Sequence, residues 1–427
     1  MVTMSWRRLC ASSAAVAAAA VLTACGSSSS SSSNGGTSSS ASSAGKTTAA
    51  AAAGTGKANA ACIPPAPSAL PGDPDKVAAS LTGTARTAMA GYPGTVYKSP
   101  WADFTPSGKA PWKVGLSINQ PGSYPEGVLA GLNAAKADSG GKIGSIEALT
   151  VSTPNSVTEQ IQQMRSMIEQ HVSIIFAFLS SPTGLNAVID QAAKAGIPVI
   201  SIAGQSTDRS AINLQPNPTQ LGYDGARGLV NAMGGKPGSV LEVQGIPGIT
   251  FNTQVVNAGM IVLKACKMNI VGSVNGFFVA PTAKTAVLQF LSGHPTTIDG
   301  VFQASGMASG VISAFQQLGR TVPPVADINP VAASLVYWNQ NKSSYHGSGV
   351  AIAPERTGQY AMAVGLALLE GRGIKITDVP FSPPVITSAN LSQWVQAGWT
   401  SATTVEANGP ASAIPITALV NGYTTKR

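Results

Sequence analysis

The chain has 427 residues, enough for two domains of ordinary size together with unstructured segments. Charged residues make up only 10% of it, and its formal net charge of +8 is spread over scattered lysines and arginines. A nucleic-acid-binding protein gathers such cations on one face or arm, so the composition argues against a nucleic acid partner.

The first residues have the pattern of a secretory leader. A pair of arginines precedes an apolar run over 14–22, which is shorter than the ~20 residues that a membrane-spanning helix needs. Residues 22–25, of sequence LTAC, resemble the cleavage signal of bacterial lipoproteins. The resemblance implies that residues 1–24 are a removed signal peptide and that the Cys25 thiol accepts the lipid, which anchors the chain on the extracytoplasmic face of the cell membrane. The alternative is an ordinary secretory signal with a chance cysteine.

Two further segments precede the main body. Residues 25–61 consist mostly of Ser, Gly, Ala and Thr, so they cannot bury a core and are expected to form a flexible linker. Residues 62–110 are Pro-rich, with one helix predicted near 75–90, and form an N-terminal extension whose role the sequence leaves open. Cys62 and Cys266 form either one disulfide or two free thiols in an oxidising compartment, and their spacing does not decide between these.

Strands and helices alternate from Trp112 onward. Apolar runs predict strands at 113–118, 146–151, 173–179, 197–200, 239–243, 270–274, 300–303 and 325–328. Helical periodicity predicts helices at 126–137, from 156 onward, at 185–192, and near 252–266, 282–292 and 307–318. Such alternation predicts parallel sheets wrapped by helices, in two domains that divide near 213–217. Since ligands bind outside the carboxyl ends of such strands, two facing sheets would form an interlobe cleft for a small molecule.

The stretch from 113 to about 393 resembles the periplasmic sugar-binding proteins of the ribose type. The segments that carry the resemblance are 160–168, 172–175, 195–200 and 300–310, in that order and spacing. It implies an α/β fold of two Rossmann-like lobes with parallel sheets joined by a three-strand hinge, the type I periplasmic binding protein. By this resemblance lobe 1 comprises 111–214 and 354–384, and lobe 2 comprises 215–353 and 385–427.

The resemblance also implies a function, which is ligand capture by closure of the lobes and delivery to an ABC permease with its ATPase. A monomer is expected. Two alternatives are a ligand-sensing lipoprotein for a membrane signalling partner, and a true sugar or polyol binder with a remodelled site. No metal, cofactor or catalytic residue is expected, because none of the three histidines has metal-ligand spacing and no nucleophile motif is present. The chain is therefore expected not to be an enzyme.

The ligand residues of the family transfer only in part. Its aromatic positions fall on Tyr124 and Phe278, whereas several polar positions fall on residues such as Gly204 and Ala304. A ligand less polar than a typical sugar is therefore expected, because unpaired buried hydroxyls cost about 1–3 kcal/mol each. The candidate polar contacts, each of which could instead be a structural side chain at a strand end, are Asn119, Gln205, Ser305 and Asn329.

Overall fold

The computed structural model describes residues 60–202 and 204–425. These residues form two α/β lobes, each built on its own mainly parallel sheet. The leader, Cys25 and residues 25–59 lie outside the described part, so the structure bears on neither cleavage nor lipidation. None of the described helices combines the length and the apolarity that a membrane-spanning segment requires.

The N-terminal extension, residues 62–110, is largely irregular. It contains a 3₁₀ turn at Ala78–Ser80 and helix α1 (Gly83–Met89). The helix that the sequence predicts near 75–90 is interrupted, because Leu81 and Thr82 adopt extended backbone between these two pieces.

The first lobe alternates strands and helices. Its elements are β1 (Trp112–Ile118), α2 (Ser123–Ala137), β2 (Ile143–Thr150), α3 (Val157–Glu169), β3 (Ile174–Ala177), α4 (Asn186–Lys194), β4 (Val199–Ile202) and β5 (Ala211–Leu214). The strands lie in the order β2-β1-β3-β4-β5 and pair in parallel. Every residue of β3 and β4 is buried, because helices cover both faces of a parallel sheet.

The second lobe repeats this alternation. Its elements are α5 (Pro218–Ala232), β6 (Ser239–Gln244), α6 (Thr250–Ala265), β7 (Asn269–Asn275), α7 (Ala280–Gly293), β8 (Gly300–Gln303), α8 (Ala308–Gln317), β9 (Val325–Ile328), α9 (Ala332–Asn341) and β10 (Ser348–Val350). After α10 (Pro354–Leu369) comes β11 (Val385–Ile386), which pairs antiparallel with β10. The order is β11-β10-β9-β8-β6-β7, and the remaining pairs are parallel.

The hinge that joins the lobes is made of segments from distant parts of the sequence. They follow β5, precede α10 and precede β11. Asn213 N donates to Thr377 O over 2.8 Å, and Phe381 N donates to Gln215 O over 3.1 Å. Helix α10 then packs on α2 of the first lobe. Gly131 lets these helices meet, since a Cβ atom at this position would lie 1.9 Å from the Glu355 carbonyl oxygen.

The end of the chain departs from the expected division into lobes. Residues 385–427 are expected in the second lobe, but helix α11 (Ile416–Tyr423) packs against α1 and α10. The Tyr423 hydroxyl is buried there, at 3.1 Å from Ala85 O and 2.9 Å from Pro380 O. The apolar face of α11 thus returns the described end of the chain to the first lobe.

The N-terminal extension contacts both lobes. A disulfide with an S–S distance of 2.11 Å joins Cys62 to Cys266 at the end of α6. The Tyr92 hydroxyl donates to Asp378 Oδ1 in the hinge over 3.0 Å, and the Trp101 indole N–H donates to Ser210 O over 2.6 Å. The extension therefore spans the hinge.

Candidate functional site

A cleft with a volume of about 530 Å³ lies between the lobes. Residues after β1, β3, β4 and β5 form one wall of this interlobe cleft, and residues after β6, β8, β9 and β10 form the other. Both walls therefore lie at the carboxyl ends of parallel strands, where open α/β sheets bind ligands. The structure brings together all six contact residues that the sequence predicts: Asn119, Tyr124, Gln205, Phe278, Ser305 and Asn329.

The first-lobe wall carries an aromatic pair. Tyr124 lies in the first turn of α2, and Phe178 follows β3. Their ring centroids are 5.9 Å apart in an edge-to-face arrangement. The Tyr124 hydroxyl is buried, and its pKa is raised above the ordinary value of a phenol. Burial is the larger cause, and the negative charge of the nearby Glu406 carboxylate is the second. Tyr124 is therefore a neutral side chain that offers the cleft an aromatic surface.

The second-lobe wall is also aromatic. Phe278 contacts Phe251 edge-to-face at 6.2 Å, and Phe277 beside it is 45% exposed. Both Phe277 and Phe278 adopt left-handed backbone, with φ of 58° and 62°. Phe278 fits because residue 245 is glycine, where a Cβ atom would lie 2.0 Å from its ring. Bulky residues rarely adopt positive φ, so the surrounding structure holds this aromatic wall in place.

Two of the predicted polar contacts are engaged by the protein itself. Asn119 Nδ2 lies 3.1 Å from Asn155 Oδ1 and 3.3 Å from Leu179 O. Gln205 Nε2 donates to the Tyr92 hydroxyl over 2.8 Å, and Gln205 Oε1 accepts from Gln254 Nε2 across the cleft over 3.5 Å. Their amide groups thus hold the wall together in this structure.

The other two polar candidates, Ser305 and Asn329, follow β8 and β9 and are buried. Asn329 has a positive φ of 54°, which asparagine tolerates better than most residues. Its Nδ2 donates to Glu406 Oε2 over 2.8 Å, whereas its Oδ1 is buried without a protein partner. Asn329 is therefore a predicted contact that still has a hydrogen-bond acceptor without a protein partner.

Sequence reasoning missed Glu406, which also lies on the cleft wall. Its carboxylate accepts from Ser123 Oγ over 2.7 Å and from Asn329 Nδ2 over 2.8 Å. Burial raises the pKa of this carboxyl group, and these two hydrogen bonds oppose that rise. The segment around Glu406 is irregular and far along the chain from the other wall residues, so no local pattern pointed to it.

Residues 114–373 match the model of a protein family described as the periplasmic binding protein domain. The chain belongs to this family. One relative of this periplasmic binding protein, a xylitol-binding protein of Mycolicibacterium smegmatis, is 26% identical over 265 residues, which cover 60% of this chain and 72% of the relative. A ribose import binding protein of Bacillus subtilis is 23% identical over 283 residues, which cover 65% of this chain and 88% of that protein.

Solved structures share the architecture. An ABC transporter solute binding protein of Thermobispora bispora has a TM-score of 0.60 at 26% identity, covering 67% of this chain and 88% of that one. A periplasmic solute binding protein of Actinobacillus succinogenes with bound D-allose has a TM-score of 0.60 at 19% identity, covering 66% of this chain and 99% of that one. The expected type I fold and the resemblance to sugar-binding proteins are confirmed.

Family membership defines the general activity of this periplasmic binding protein. It captures a small solute outside the cytoplasm for an ABC transporter, and its relatives are transport proteins rather than enzymes. The interlobe cleft is the place in the described structure that suits such a solute, because both lobes contribute to its walls.

Proposed function

We propose that this periplasmic binding protein is anchored to the cell membrane by a lipid on Cys25 and binds its solute in the interlobe cleft for an ABC importer. The observation that carries the proposal is the cleft of about 530 Å³, which has aromatic side chains on both walls and the hinge beside it. A solute that touches both walls stabilises the closed arrangement of the lobes. The closed form then docks on the permease.

The solute is less polar than a typical sugar. The amide groups of Asn119 and Gln205 are occupied by protein partners, and Ile352 adds an apolar side chain to the wall. A solute with hydroxyl groups on every side would leave several of them unpaired, at about 1–3 kcal/mol each. A solute with one apolar face instead packs that face on Phe278.

A sugar or polyol binder with a remodelled site is the second candidate. It is favoured by one observation, the open Oδ1 of Asn329 beside the Glu406 carboxylate, since both accept hydrogen bonds from hydroxyl groups. The names of the two curated relatives, which bind xylitol and import ribose, agree with it.

A thermal-shift screen separates the two candidates. The compounds are ribose, glucose and xylitol on one side, and trans-cyclohexane-1,2-diol and benzyl alcohol on the other. A ligand at one hundred times its dissociation constant stabilises the protein by about 2.7 kcal/mol, which raises the melting temperature by several degrees. We expect the larger shifts from the second group.

Matched variants locate the binding. Phe278→Ala should abolish the shift, whereas Phe290→Ala, an aromatic truncation in the second lobe away from the cleft wall, should leave it in place. A shift with ribose or glucose alone would contradict the less polar ligand. A shift that survives Phe278→Ala would contradict the location.

A further inference from the structure

Glu406 brings a carboxylate into the interlobe cleft from a segment outside the family match, which ends at residue 373. Its backbone pairs antiparallel with Val331, and Ala332 N donates to Val405 O over 2.8 Å. These bonds hold residues 403–407 against the start of α9. The C-terminal segment therefore supplies a wall residue from outside the part of the chain that matches the family.

Donors from both lobes position the Glu406 side chain. Oε1 accepts from Ser123 of the first lobe, and Oε2 accepts from Asn329 of the second. Each carboxylate oxygen can accept a second hydrogen bond, so the group keeps open acceptor capacity. Beside it, Asn329 Oδ1 is an acceptor that has no protein partner and belongs to a residue only 4% exposed.

The charge on the wall has one sign. Among the described wall residues Glu406 is the one carboxylate, and no Lys, Arg, His or Asp accompanies it. It is 8% exposed, and the ion pairs formed by described residues do not include it. A buried carboxylate without a cation requires hydrogen-bond donors, and a solute in the cleft is positioned to supply them.

We propose that Glu406 determines the specificity of the cleft. Together with Asn329 it accepts hydrogen bonds from hydroxyl or ammonium donors of the solute, and it excludes solutes that carry a carboxylate at that end. The inference rests on the proposed binding in this cleft and adds the class of ligand, a small neutral or cationic solute with an apolar face and donors at one end. Anions are excluded because two like charges in a poorly hydrated site repel each other strongly.

Three probes on one ring test the proposal by isothermal titration calorimetry. They are trans-cyclohexane-1,2-diol, trans-2-aminocyclohexanol and trans-2-hydroxycyclohexanecarboxylate, and xylitol with xylonate gives an open-chain pair. The wild-type protein should bind the diol, the amine or xylitol at least ~100-fold more tightly than the matching carboxylate, as expected for several kcal/mol of repulsion. If the amine binds more tightly than the diol, the preferred donor of the solute is an ammonium group. If the diol binds more tightly, the preferred donor is a hydroxyl group.

The variant Glu406→Gln keeps the shape of the side chain and removes its charge. We expect it to weaken binding of the donor probes ~10- to 100-fold, because hydrogen bonds to a charged acceptor are lost. Its preference for donors over carboxylates should also fall by at least ~10-fold, a change that a merely structural role of Glu406 does not produce. Glu242→Gln is the matched control, since Glu242 is a buried carboxylate of the second lobe off the cleft wall.

The outcomes separate this inference from the function on which it rests. If the wild-type protein binds a donor probe and Glu406→Gln binds it equally well with the same selectivity, the role of Glu406 is overturned while solute capture stands. Equal wild-type affinity for a donor probe and its carboxylate overturns it too. If the wild-type protein binds none of these probes, the proposed ligand class is overturned, while the solute capture that family membership defines stands.

Discussion

Asp327 in β9 is a buried acid that is not part of the cleft wall. Its Oδ1 has no partner, and burial raises the pKa of its carboxyl group to about 7, although a hydrogen bond with Ser334 opposes the rise. In an unfolded chain the same group has a pKa of about 3.9. Between about pH 4 and 7 the folded protein therefore holds a proton that the unfolded chain releases, so the free energy of unfolding falls as the pH rises through this range.

Asp327→Asn should remove this contribution to the pH dependence. Between pH 5 and pH 8 the wild type should lose about 2–3 kcal/mol in the free energy of unfolding that the variant does not lose, since each pH unit below the folded pKa contributes ~1.4 kcal/mol. Urea unfolding at the two pH values measures the difference. Asp103→Asn, at an exposed carboxylate, is the control and should change nothing. An unchanged difference between wild type and Asp327→Asn across the two pH values would refute the buried-acid argument.

The placement of individual side chains could be predicted only where it follows from strand ends. Asn119, Gln205 and Asn329 each come soon after a strand, and parallel sheets bring such positions to one edge. Their hydrogen-bond partners could not be predicted, because Gln205 pairs with Tyr92, which lies 113 residues away. Glu406 lies in an irregular segment without periodicity, so its position depends on tertiary packing alone.

At the scale of elements, the sequence predicted strands better than it predicted the helices that are buried on most sides. The apolar runs at β3, β4, β8 and β9 stand out because both faces of these strands are covered. Helix α10 was not predicted as an element. Most of its own residues are buried. A helix that is covered on several sides lacks the single apolar stripe by which amphipathic helices are recognised in a sequence.

The N-terminal extension is the element whose role the sequence could not give. Replacing Cys62 and Cys266 with alanine should lower the free energy of unfolding by about 2–5 kcal/mol, because the disulfide closes a loop of 204 residues and restricts the unfolded chain. Urea unfolding of the secreted chain measures the loss. A reducing agent should produce the same loss in wild type and none in the double variant. Unchanged unfolding of reduced wild type would show that the disulfide does not brace the fold.

At the scale of the whole molecule, the extension, the hinge and the cleft meet in one buried polar cluster. The Tyr92 hydroxyl donates to Asp378 of the hinge and accepts from Gln215 and from Gln205 on the cleft wall. Burial raises the pKa of the Asp378 carboxyl group. Hydrogen bonds that Thr377 and Tyr92 donate to this carboxyl group oppose the rise. The extension is therefore hydrogen-bonded to the hinge and to the cleft wall at the same point.

The proposed lipid anchor on Cys25 would hold the whole molecule at the cell membrane. If Cys25 carries the lipid, Cys25→Ser should release the folded protein into the medium or periplasm, because the removed acyl chains provide the membrane affinity. Cell fractionation with immunoblotting measures the distribution, and labelling with a radioactive fatty acid measures lipid attachment. Cys10→Ser is the matched control, since Cys10 lies within the 1–24 leader and its loss should leave anchoring intact. A processed Cys25→Ser chain that stays with the membrane would assign membrane attachment to another part of the protein. Its release, together with loss of the fatty-acid label, would support the lipid on Cys25 as the anchor.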